Sequence, residues 1–163
     1  MVWVALLLVQ SAAAQDQQIK RGETLYMDAA RGCAACHALK GKGLAVGPDL
    51  SVIARLSPQG IAMAVRSSAT QYVQAVKLKS GETITAMPGP KEGDTLSFFD
   101  LSKTPPELKK VAKADVVSMN NTDAWKHPPL AQKLQPADIA DVVAYIKATV
   151  TGTKKTVTPD EVK

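Results

Sequence analysis

The sequence predicts a mostly α-helical domain interrupted by a small antiparallel β-insert, and three observations carry that expectation. Apolar residues near the C-terminus recur at helical spacing. Between residues 72 and 118 the period changes to two. A single Cys-x-x-Cys-His motif follows a predicted first helix. At 163 residues the chain has the length of one domain, and it is long enough to bury a core.

The C-terminal element is the clearest. Ile139, Val142, Val143, Ile146 and Val150 fall on one face of a helix, and Pro136 is placed to open it. Ser57-Pro58 starts a shorter helix through Arg66, with Ile61, Ala62 and Val65 on one side; Met63 is a core or surface residue there. From Tyr72 onward Val76 and Leu78, then Ser80-Gly81, then Ile84 and Ala86 read as a hairpin. Leu96, Phe98 and Leu101 suggest another strand, and Val111 to Val117 one more. Residues 72–118 are therefore expected to form the insert.

The first fourteen residues differ in kind. An apolar run from Val2 to Val9 leads to small residues at Ala12 to Ala14, the pattern of a signal-peptide core and cleavage site, although no positive charge precedes it. The segment is too short to span a bilayer as a helix. Cleavage after Ala14 is expected, with the folded domain occupying residues 15–163, a periplasmic or secreted location and no stable membrane span.

Composition excludes little. The chain is 45% hydrophobic and 21% charged, which argues against both disorder and a membrane-embedded fold. Its net charge of +5 comes from dispersed lysines such as Lys40, Lys42, Lys77, Lys109 and Lys113. No dense run or recognised module among them points to a nucleic-acid partner.

The two cysteines stand three positions apart, and His37 follows directly, so that residues 33–37 read Cys-Ala-Ala-Cys-His. This is the attachment signature of a c-type haem. Thiols at this spacing can add across the two porphyrin vinyl groups, and the next residue can place its imidazole under the iron. A chance occurrence in a chain this long is on the order of one in a thousand. A thioredoxin-like site would want a βαβ context. Zinc would want a second ligand pair, and His127 is the only other histidine. With aromatics at 4%, a covalent haem also supplies apolar bulk that the chain lacks.

The chain resembles class I cytochromes c. Gly22-Glu23-Thr24-Leu25-Tyr26 is similar to the family's first helix, Gly47-Pro48-Asp49-Leu50 to the stretch after the haem motif, and Asp138 to Lys147 to the last helix. The resemblance implies a helical fold around one haem c. It places Gly22, Tyr26 and Tyr145 where the first and last helices cross, and it makes the Pro48 carbonyl the acceptor that orients His37. The insert resembles that of bacterial cytochrome c domains in which a Val-x-Leu-Lys-x-Gly strand motif precedes a distal ligand loop.

The sixth iron ligand has several candidates: Met63, Met87, Met119 and His127. Met27, on the helix leading into the proximal side, is poorly placed to cross the ring. In the family the distal ligand lies shortly before the last helix and is often followed by proline. His127-Pro128 fits best, Met119 is the first alternative, and Met87 or an open position remains. A His37/His127 pair implies a lower reduction potential than a histidine–methionine pair.

The expected function is electron transfer between redox partner proteins, with the haem carrying the chemistry and no enzymatic activity of the chain's own. The alternative is a haem enzyme, or a gas- or peroxide-binding protein with an open distal site.

Overall fold

The computed structural model describes residues 2–28, 32–67, 72–128 and 133–163; for residues 2–11 it describes the backbone alone. Among the described residues there are three α-helices, α1 (Val2–Met27), α2 (Pro58–Arg66) and α3 (Pro136–Thr151). A five-stranded sheet lies between α2 and α3 in the chain.

Local chemistry sets the helix ends. Ser57 caps α2 by accepting from the Gly60 amide, and Pro58 occupies the first turn, where its missing N–H costs nothing. Gln135 and Asp138 cap α3 reciprocally, Pro136 again takes the first turn, and Gly152 closes the helix in the left-handed region at φ 72°. Ile139 to Ile146 are all buried in α3. Removal of Ile139, Val143 and Ile146 from water contributes about 1.5–3 kcal/mol each.

The first and last helices cross as expected. A Cβ on Gly22 would fall 2.0 Å from the Asp141 carbonyl oxygen, so only glycine lets α1 approach α3 this closely. Arg21 brackets the crossing with two hydrogen bonds to the Asp141 carboxylate, at 2.7 and 3.0 Å. The Tyr26 and Tyr145 rings meet at 5.5 Å. Around them lies the helical core, with Leu39, Ile61, Ile139, Val143 and Ile146, closed at one end by Val157 and Val162 from the C-terminal tail.

The sheet comprises β1 (Gln74–Leu78), β2 (Thr83–Glu92), β3 (Thr95–Asp100), β4 (Glu107–Ala112) and β5 (Val116–Asn121). Its order is β4-β3-β2-β1-β5, and each pairing is antiparallel. Two corrections to the expected insert follow. The stretch expected as one strand from Val111 to Val117 is two, split by a tight turn at Lys113–Asp115, and β5 returns to pair with β1. The pairing therefore runs to Asn121, beyond the expected limit at residue 118. Pro88 and Pro90 are accommodated in β2 because its register with β3 shifts between Pro88 and Lys91.

The sheet has two faces. Val76, Ile84, Ala86 and Phe98 form a small core of their own with Met119 packed against it. On the other side Val73 and Leu101, with Val46, form a third cluster that includes Met87, Phe99, Trp125 and Cys36. The insert is thereby joined to the Cys-x-x-Cys-His turn.

Candidate functional site

The motif occupies one tight turn. Cys33–Ala35 is a single 3-10 turn in which the Cys36 and His37 amides both donate to the Cys33 carbonyl, at 3.1 and 2.8 Å. The two thiols are free and half-buried, Cys33 against the helical core and Cys36 against the third cluster. Burial pushes both thiols above their ordinary value, so neither is a standing thiolate.

The following loop folds back on this turn. Val46 and Gly47 both donate to the Cys36 carbonyl, at 3.1 and 2.7 Å, and carry Pro48 up to His37. His37 Nδ1 lies 2.7 Å from the Pro48 carbonyl oxygen. A carbonyl only accepts, so Nδ1 carries the proton and Nε2 is left for a metal. Burial pushes the His37 imidazole below its ordinary value against the raising effect of the Pro48 bond, and His127 adds to the lowering. A neutral ring is the form that ligates iron. Tyr26 fixes the backbone beneath it by donating its hydroxyl to the His37 carbonyl at 2.6 Å. Gly47 completes the seat, since a Cβ there would fall 2.6 Å from His37 Cε1.

His127 stands opposite. Its ring centroid is 6.0 Å from that of His37, with the planes 36° apart. Its Nδ1 lies 2.8 Å from the Pro128 carbonyl oxygen. The two histidines thus share one arrangement, each with Nδ1 tied to a proline carbonyl and Nε2 free. Trp125 meets His127 edge-on at 6.2 Å.

The methionines separate clearly. Met119 lies in β5 opposite Val76, in the sheet's own core, and is not brought to the motif. Met63 is 67% exposed on α2. Met27 ends α1 and is partly exposed. Met87 alone of these packs in the cluster that holds Cys36. That position follows from strand alternation, because Met87 sits between Ala86 and Pro88 in β2 and faces away from Ala86. The hydroxyl of Tyr26, the Gly47 seat and the Phe99–Leu101 wall gave no separate signal in the sequence, since each depends on segments brought together only by the fold.

These residues fit a covalently bound haem. Two accessible thiols share a turn with a neutral imidazole, Gly47 leaves the ring space to stand upright, and a second imidazole waits across from it. Such a site defines a haem protein of the c type. The cytochrome c family model matches residues 19–113, and the chain belongs to that family. The matched segment contains Cys33, Cys36, His37 and Pro48 and ends before His127. A search of curated proteins finds no match.

Proposed function

We propose that this cytochrome c is an exported electron carrier whose single haem is attached at Cys33 and Cys36 and closed by His37 and His127, and that it passes electrons between partner proteins. The observation that carries this reading is the facing pair of imidazoles, 6.0 Å apart between centroids, with both Nδ1 atoms held by proline carbonyls. When bound, the haem supplies a one-electron couple at its iron. The protein's part is to hold both Nε2 atoms in place, so that little reorganises when the charge changes, and to exclude water. Two imidazoles favour a lower potential than imidazole with thioether.

Export is supported by where the tertiary contacts of α1 begin. Among its described side chains, Asp16 pairs with Lys154 at 3.0 Å, and Gln18 is bound to Val157 through both amide atoms. Residues 12–14 are exposed. The net charge of +5 favours an acidic partner surface.

The test is a pair of spectra joined to an intact mass. Denatured protein matured with haem-attachment machinery should retain one haem, and both oxidation states should be low-spin with slow carbon monoxide and cyanide binding. A mass without haem, or a high-spin ferric form that binds cyanide at once, rejects the reading.

A further inference from the structure

One face of the insert ends beside His127. Met87 and Phe99 are register partners across β2 and β3, and they share with Leu101 the face turned to Val46 and Cys36. Trp125 packs into the same cluster. It is anchored from the other side as well, because the Thr122 amide donates to the Val73 carbonyl at 2.9 Å and extends the pairing of β5 with β1. From this position Trp125 presents an edge-to-face contact to His127, 6.2 Å between centroids and 77° between planes, a geometry aromatic pairs favour at about 4.5–7 Å. Among the described residues, the hydrogen bond of that ring is Nδ1 with the Pro128 carbonyl.

We propose that the β-insert, acting through Trp125, sets the plane of the distal imidazole and keeps it in place. Trp125 is a positioning residue: it meets the His127 ring edge-on and would act through it. This rests on the reading that His37 and His127 are both axial. An imidazole bound through Nε2 and held at Nδ1 by a neighbouring carbonyl can still turn about the Nε2 bond as its loop shifts. Trp125 shares its cluster with Met87, Phe99 and Leu101, and from there it limits that freedom. The angle matters electronically. In low-spin ferric haem with two imidazoles, near-parallel ring planes split the two iron π-type d orbitals and give a rhombic electron paramagnetic resonance spectrum. Perpendicular planes leave these orbitals nearly degenerate and give a single feature at large g. The 36° between His37 and His127 lies on the parallel side.

The experiment is that spectrum on the ferric holoprotein, for wild type, Trp125→Phe, Trp125→Ala and Phe99→Ala. Wild type should be rhombic, and Trp125→Phe, which keeps an aromatic edge, should stay close to it. Trp125→Ala should move toward the large-g form or split into several species, and should bind cyanide about tenfold faster as the detached state gains population. Phe99→Ala, which touches only the support, should shift in the same direction by less. A wild-type large-g spectrum overturns the proposal even if no variant folds, and so does Trp125→Ala with an unchanged spectrum and cyanide rate. A methionine signature in the wild type overturns this proposal together with the histidine pair; an unaltered bis-imidazole spectrum in Trp125→Ala overturns this one alone.

Discussion

Met87 and Cys36 pack in one cluster, with Val46, Val73 and Leu101 between the sheet and the haem-attachment turn. Met119, the methionine nearer to His127 in sequence, lies in the separate sheet core against Val76. Loss of His127 should therefore recruit Met87. His127→Ala should turn the ferric haem high-spin or develop the near-infrared band of methionine ligation with a raised potential. The band should vanish in His127→Ala/Met87→Ala and persist in His127→Ala/Met119→Ala. A band that survives loss of Met87 but not of Met119 would sink the assignment.

Gly47 gives a prediction on the proximal side. Its Cβ would stand 2.6 Å from Cε1 and 2.9 Å from Nδ1 of His37, so the ring or the loop bonded to the Cys36 carbonyl must shift. Gly47→Ala should keep its covalent haem, because Cys33 and Cys36 are untouched. It should lose low-spin character as the imidazole is pushed off axis, and stability should fall by about 1–3 kcal/mol. Intact mass read beside the optical spectrum and thermal melt checks both halves. A variant with wild-type spectrum and melting temperature would show that the loop moves freely.

What the sequence made legible follows from how local each feature is. Cys33, Cys36 and His37 were readable because their chemistry depends on spacing within one turn, and α3 because Ile139 to Ile146 repeat at a single period. His127 was placed by order along the chain, and the structure sets it across from His37. The end of the insert is not legible locally, because Val111 to Val117 is apolar enough for one strand. Only the return of β5 to β1, a long-range pairing, divides it. The roles of Met87, Phe99 and Trp125 depend on which sheet face turns inward. Strand alternation separates the two faces but does not say which one meets the haem turn.

The insert should also contribute to the acid sensitivity of the molecule. Asp100 is buried, with Oδ1 accepting from the Ser102 amide at 2.9 Å and Oδ2 3.0 Å from Lys109 Nζ. Burial alone would raise its pKa, but the Ser102 hydrogen bonds and Lys109 outweigh it and hold the carboxyl below its ordinary value. A depressed folded-state pKa contributes stability that is present above the unfolded value, about 3.9, and is lost as pH falls through the folded value. Stability measured by denaturant should decline below about pH 4, and Asp100→Asn should flatten that decline. It should also lower stability at neutral pH by removing the Lys109 ion pair, although Lys109 keeps Glu82 at 3.4 Å. An unchanged acid slope in Asp100→Asn would locate the sensitivity elsewhere.

The N-terminus yields the last prediction. α1 is continuous from Val2 to Met27, so a leader removed after Ala14 would be cut from the same helix that later crosses α3. The described tertiary contacts of α1 survive the cut. Asp16 with Lys154, Gln18 with Val157, Arg21 with Asp141 and Gly22 against the Asp141 carbonyl all lie beyond it. Gln15 would then begin a helix whose first turn is tied to the C-terminal tail. Terminal sequencing of the protein from its host should find Gln15, or a residue within one or two of it. A form beginning at Gln15 should melt within a few degrees of the longer chain, because it keeps the described contacts of α1 with α3 and the C-terminal tail. Truncation to Ile19 removes Asp16 and Gln18, freeing Val157 and lowering the melting temperature clearly. Recovery of an intact Met1 from the soluble periplasm would reject cleavage, and equal melting of the Ile19 form would show that the tail contacts do not hold α1.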